Sequence, residues 1–216
     1  MPIEQKLVSV KAGKVVLEGF LSIPENAISM IVFVHGSGSS RHSPRNQAVA
    51  EEFNDYGMGT LLFDLLTPEE ESVDIVTREL RFDIPMLAER VVSTIDWLGE
   101  FEPTKGMNIG LIGSSTGAAA ALIAAAKRTG VVRCVVSRGG RPDLAGESLP
   151  HVQAPTIFIV GALDTVVIEL NEQAFAELNC EKKMELVPGA THIFEEPGTL
   201  ERASHFARVW FLQHLG

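Results

Sequence analysis

Gly113-Ser114-Ser115-Thr116-Gly117 lies between an apolar run, Met107 to Ile112, and a helix-patterned stretch, Ala118 to Ala126. Strand, tight turn and helix with a serine at the apex is the layout of a nucleophile elbow. The flanking glycines permit a sharp bend and a close approach of helix to strand. Such a bend lifts the Ser115 hydroxyl to the N-terminus of the following helix, where free N–H groups favour negative charge. A serine hydroxyl is a weak nucleophile at neutral pH. It needs a base to accept its proton and a third group to orient that base.

Two later turns supply those residue types. Asp164 closes the turn Gly161-Ala162-Leu163-Asp164, just past the apolar run Thr156 to Val160. His192 ends Pro188-Gly189-Ala190-Thr191-His192, just past Lys183 to Val187. The chain order Ser, Asp, His is the one that accompanies this kind of elbow. Each residue also has a plainer reading. Ser115 and Asp164 can simply cap the helices that follow them, and His192 can be a hydrogen-bonded loop histidine.

His35-Gly36-Ser37-Gly38 directly follows the apolar run Met30 to Val34. Acyl transfer builds negative charge on a carbonyl oxygen, where one preorganised N–H donor contributes about 3–4 kcal/mol. The backbone of Thr116, next to the serine, and that of Ser37 are the expected donors. Gly36 is expected to line the substrate site and His35 to brace the loop. The plainer reading is a flexible Gly/Ser turn.

Four arginines lie near expected strand ends. Arg41 and Arg45 flank the glycine-rich loop, and Arg138 and Arg141 follow the run Val131 to Ser137. An arginine turned into the pocket favours carboxylate-bearing substrates through paired hydrogen bonds. Ion pairing with Asp64, Asp83 or Asp143 is the alternative. Arg138 is the substrate-contact candidate, because its strand must end beside the site.

The elements that position these residues follow from patterning. Leu7 to Val10 and Lys14 to Ile23 read as a hairpin turning at Ala12-Gly13. Met30 to Val34 and Met58 to Phe63 read as buried strands. Between them, Ser43-Pro44 opens a helix with an apolar stripe of Val49, Phe53 and Tyr56, and Gly57 stops it. Glu69-Glu70-Glu71 reads as a solvated helix start. Asp83 caps a helix in which Leu87, Val91, Ile95 and Leu98 recur at helical spacing. The elbow strand and helix follow, then strands at Val131 to Ser137, Thr156 to Val160 and Lys183 to Val187. Helices are expected from about Glu169 to Leu178 and from about Thr199 to Leu215. After the hairpin, short apolar strands alternate with helices, which describes a doubly wound, mostly parallel α/β sheet covered on both faces. Ligands in such sheets sit beyond the carboxyl ends of the strands.

Bulk properties narrow the function. At 216 residues the chain fits a single domain, residues 1–216, with a sizeable core. Its net charge of −10 and pI near 5.1 argue against nucleic acid as a partner. No apolar run approaches the roughly 20 residues of a membrane span, and residues 1–10 lack the apolar segment of a signal peptide. A cytoplasmic location and no membrane partner are expected. Cys134 reads as a buried free thiol, and neither it nor Cys180 belongs to a metal-binding pattern, so no metal is expected.

Together these pieces make the chain recognisable. It resembles the α/β-hydrolase superfamily over nearly its whole length, and within it the small dienelactone-hydrolase-like members. The matching pieces are Val34-His35-Gly36-Ser37-Gly38, Leu62-Phe63-Asp64-Leu65, Gly113 to Gly117, Gly161 to Asp164 and Gly189-Ala190-Thr191-His192. The resemblance implies an α/β-hydrolase fold, a Ser115-Asp164-His192 triad and no cofactor. Dienelactone hydrolases carry cysteine as nucleophile, whereas this elbow carries Ser115. A serine carboxylesterase or lactonase acting on a small ester or lactone is therefore expected. The segment Arg138 to Ala154 is too short for a separate lid, so the site is expected to be open, covered at most by Leu65 to Arg81. A non-catalytic binding module, or acyl transfer or perhydrolysis with the same residues, are the rival readings. Oligomeric state is left open.

Overall fold

A computed structural model describes residues 3–216. Its first two strands, β1 (Gln5–Ala12) and β2 (Val15–Ser22), pair antiparallel around Gly13. The remaining strands are β3 (Ser29–Val34), β4 (Gly59–Phe63), β5 (Asn108–Ser115), β6 (Val132–Gly140), β7 (Thr156–Gly161) and β8 (Lys182–Val187). They form one eight-stranded sheet in the order β1-β2-β4-β3-β5-β6-β7-β8. β2 meets β4 antiparallel, and every pairing from β4 to β8 is parallel. This is the α/β-hydrolase fold, as expected. No helix of the described residues is long and apolar enough to cross a membrane.

The helices are α1 (Pro44–Asp55), α2 (Pro68–Thr77), α3 (Ile84–Glu100), α4 (Thr116–Lys127), α5 (Thr165–Glu177) and α6 (Thr199–Leu215). Alternate residues of each central strand face opposite layers. Met30, Val32 and Val34 of β3 join one apolar cluster with Leu87, Val91 and Ala120 of α3 and α4. Ile31 and Phe33 join the other with Phe53 of α1 and Phe211 of α6. Burial on both faces explains why these strands are apolar throughout instead of alternating. Each fully buried Phe or Leu contributes about 1.5–3 kcal/mol. Trp210 and Phe211 are both core.

Several boundaries differ from the sequence expectations. β6 runs on between β5 and β7 as far as Arg138, which stands opposite Ser114 and Ile159, and β5 alone carries it to Gly140. Arg138 is thus inside the strand, not after it. α5 begins at Thr165, four residues earlier than expected, despite the β-branched run Thr165-Val166-Val167. Burial of Val167 outweighs that weak local preference. Tyr56 lies beyond the last turn of α1, is half exposed, and takes the Arg208 guanidinium 3.9 Å over its ring. The acidic run at the start of α2 is not merely solvated. Glu70 accepts the Thr67 N–H in a capping box and binds both terminal nitrogens of Arg90. That pairing holds the Glu70 carboxyl below its ordinary pKa. Cys134 is buried and free, and burial pushes its thiol pKa far up.

Candidate active site

Ser115 ends β5 with φ 49° and ψ −126°, a conformation that non-glycine residues avoid. The neighbouring residues enforce it. A side chain at Gly117 would place its Cβ 2.2 Å from the Val34 carbonyl oxygen, so only glycine lets α4 start so close to β3. The pairing of β5 with β6 shifts register between Ser114 and Ser115, which then faces Gly140. The Arg141 N–H takes the Ser115 carbonyl (2.9 Å) and fixes the bend. Ser115 occupies the N-cap position of α4, yet its side chain makes no capping bond.

Asp164 shows the same departure from a plain helix cap. It precedes α5 without a capping hydrogen bond from its side chain. Its Oδ2 instead accepts from His192 Nδ1 at 2.7 Å. His192 is brought there by the turn after β8. In that turn the Thr191 N–H and hydroxyl both donate to Glu196, at 3.1 and 2.5 Å. These bonds hold the Glu196 carboxyl below its usual pKa. Glu196 sits in an acidic loop with no local signal for such a role, and sequence reasoning missed it. Ser115 and His192 line one cavity of about 370 Å³.

The loop after β3 forms another wall. Gly36, Ser37 and Gly38 all face the cavity. The Ser37 N–H donates to Thr116 Oγ1 (3.0 Å), which ties the loop to the elbow. Thr116 is the first residue of α4, so its N–H has no acceptor within the helix. A Cβ added to Gly36 would fall 2.7 Å from Ser115 Cβ and 2.9 Å from the Ser114 carbonyl oxygen. Gly36→Ala will therefore displace the loop from the elbow. We expect a loss of about 100-fold in kcat/KM on activated esters, the usual cost of a ~1 Å misplacement. Steady-state kinetics check this, and a loss under threefold would show that the loop moves freely.

His35 braces this loop. Its Nδ1–H donates to the Gly36 carbonyl (2.9 Å), and its Nε2 accepts the Leu65 N–H (3.1 Å). The Leu65 carbonyl in turn accepts from Arg90. Loss of surrounding water pushes the His35 pKa below its ordinary value; the Gly36 bond and the Asp64 and Glu71 charges pull the other way but lose. The folded state thus holds His35 neutral, whereas the unfolded chain binds its proton below about pH 6.5. Stability carried by His35 is complete above that pH and is lost as pH falls towards the lowered folded value. Urea unfolding at pH 7.5 and 5.5 will show a smaller drop in His35→Gln than in the parent. Equal drops would remove His35 as the cause.

The arginines divide. Arg41 pairs with Asp64 and Glu18, and Arg141 with Asp143, so both serve as structural ion pairs. Arg138 and Arg45 line the cavity and form no ion pair among the described residues. Arg138 is 7% exposed. Its Nη2 donates to Asn46 Oδ1 (2.6 Å) and Ser114 Oγ (3.1 Å), while its buried Nη1 has no partner among the described residues. Burial, with the Arg45 charge adding to it, lowers its pKa to about 10. The segment after β6 is a run of tight 3-10 turns, Pro142–His151, and not a lid. No group of three or more His, Cys, Asp or Glu side chains suited to a metal occurs among the described residues.

Residues 17–212 match the model of the dienelactone hydrolase family. A dienelactone hydrolase from Anabaena variabilis has a solved structure with TM-score 0.98 and 50% identity, each chain covered in full. Est1E from Butyrivibrio proteoclasticus shares the fold at TM-score 0.78 and 14% identity, over 96% of this chain and 98% of its own. Among curated proteins, a putative phosphoribosyl transferase of Mycobacterium tuberculosis is 52% identical over 99% of this chain. The match covers 47% of that protein, so this chain spans about half the length of the curated relatives it matches.

Proposed function

The chain belongs to the dienelactone hydrolase family, and on that premise we propose that it is a serine hydrolase cleaving small carboxylic esters or lactones. The observation that carries this reading is the Asp164 carboxylate. It stands where a helix cap belongs and bonds instead His192, which lines the cavity together with Ser115. With the Nδ1–H given to Asp164, His192 has Nε2 free to accept the Ser115 proton. The Ser115 oxygen then attacks the substrate carbonyl. The Thr116 N–H meets the developing oxyanion, joined by the Ser37 N–H as it leaves the Thr116 hydroxyl for the stronger, charged acceptor. His192 returns its proton to the leaving alcohol, then deprotonates the water that releases the acid.

The strained backbone of Ser115 supports the same reading. Such conformations persist where the surrounding structure imposes them, and they gather at sites of chemistry. The transferase name of the mycobacterial relatives belongs to proteins about twice as long as the matched region. For that region, the Asp164–His192 pair and the cavity shared by Ser115 and His192 support serine-based acyl chemistry. The test is a panel of 4-nitrophenyl esters of graded acyl length with lactones alongside, together with fluorophosphonate labelling of Ser115. Turnover of short esters with stoichiometric labelling is expected. Absence of both would overturn the assignment.

A further inference from the structure

We propose that the wall of this cavity formed by Arg138, Arg45 and the start of α1 is a subsite for a phosphate group carried by the substrate, an inference that rests on the hydrolase reading above. The chain as a whole carries a net charge of −10, yet the residues lining this cavity include two arginines and no carboxylate. Arg138 is a buried guanidinium without a counter-anion, an arrangement that is costly to fold around. Among the described residues its hydrogen-bond acceptors are neutral, Asn46 Oδ1 and Ser114 Oγ, and Nη1 has none. Arg45 adds a second positive charge close enough to depress the Arg138 pKa, and its exposed side chain makes no ion pair among the described residues. Elsewhere in the molecule arginines near carboxylates are paired, as Arg41, Arg81, Arg90 and Arg128 show. Of the two buried arginines among the described residues, Arg90 is paired with Glu70, whereas Arg138 meets no carboxylate.

The N-terminus of α1 completes the wall. α1 has 12 residues, and its cap Ser43 and first-turn residues Arg45 and Asn46 line the cavity. The positive end of a helix favours an anion there. Two guanidiniums and a helix end match the two charges and three free oxygens of a phosphate monoester. A carboxylate, with one charge, leaves one arginine uncompensated. Ser114, which accepts from Arg138, immediately precedes Ser115. The anion and the scissile carbonyl must therefore be close together on one small molecule, as in a short phosphorylated hydroxy acid ester.

Calorimetric titration of the whole chain with inorganic phosphate, and separately with acetate, tests this. One phosphate is expected to bind per chain, at least tenfold tighter than acetate. Both Arg45→Gln and Arg138→Gln are expected to weaken phosphate binding at least tenfold. Arg45 is exposed, so its substitution does not threaten the fold and serves as the independent variant for buried Arg138. The 4-nitrophenyl ester of phosphoglycolate is expected to be cleaved with a kcat/KM at least 100-fold above that of the glycolate ester, a preference that collapses in Arg45→Gln. No phosphate binding, binding untouched by Arg45→Gln, or equal binding of acetate would each overturn the phosphate subsite. Fluorophosphonate labelling separates the two readings. Labelled Ser115 without phosphate binding sinks the subsite alone, whereas arginine-dependent phosphate binding without labelling or turnover sinks hydrolysis alone.

Discussion

Ser115→Ala will lower kcat on small activated esters by about 10⁶-fold and abolish fluorophosphonate labelling. The size follows from what is lost. Without the hydroxyl no acyl-enzyme forms, and His192 and the backbone donors have no covalent intermediate to serve. Some rate above water remains from binding and oxyanion stabilisation. Alanine meets the same backbone strain as serine at φ 49°, and the Ser115 side chain makes no capping bond to lose. The thermal midpoint should therefore stay within about 2 °C, since a change outside the core and caps is usually under about 0.5 kcal/mol. Turnover that survives the substitution at the parental rate would remove Ser115 as nucleophile.

Asp164→Asn is expected to cost about 10⁴-fold in kcat. The amide keeps the shape but can donate a hydrogen bond to Nδ1, which favours the tautomer with its proton on Nε2. That nitrogen then cannot take the Ser115 proton. Asp164 does not line the cavity, so KM should change little while kcat collapses. The split matters, because a residue that merely supports the loop would raise KM and lower stability together. A loss under tenfold in kcat would show that His192 is oriented by something else.

How much of this was legible beforehand depended on the range of the signal. Ser43-Pro44 and Asp83 announce helices that the structure starts at those places, because a capping oxygen and a proline act within one turn. The elbow was equally plain, since Gly113 is needed by the contact with Ala118 a few residues on, although the Val34 carbonyl that requires Gly117 lies far off in sequence. The turn glycines and chain order also pointed to Asp164 and His192. By contrast, the sequence around Glu70 suggests only a solvated helix start. Its partner Arg90 lies 20 residues on, and a sequence does not show which faces of α2 and α3 meet. The Glu196 clamp on Thr191 was missed for a similar reason. A loop closing on itself leaves no periodicity to read.

The sequence by itself determined the order of strands and helices, the serine at the sharp turn, and the acid and imidazole placed just beyond later strands. These rest on local rules of burial, bending and capping that operate over a few residues. Only the tertiary structure decided which carboxylate takes which cation. Arg41 and Arg141 resemble Arg45 and Arg138 in sequence, but the first two meet carboxylates and the last two meet the cavity. That division depends on β6 running on through Arg138 between its neighbours and on where α1 begins against it. Such placement is set by packing across the sheet, and no stretch of residues carries it alone.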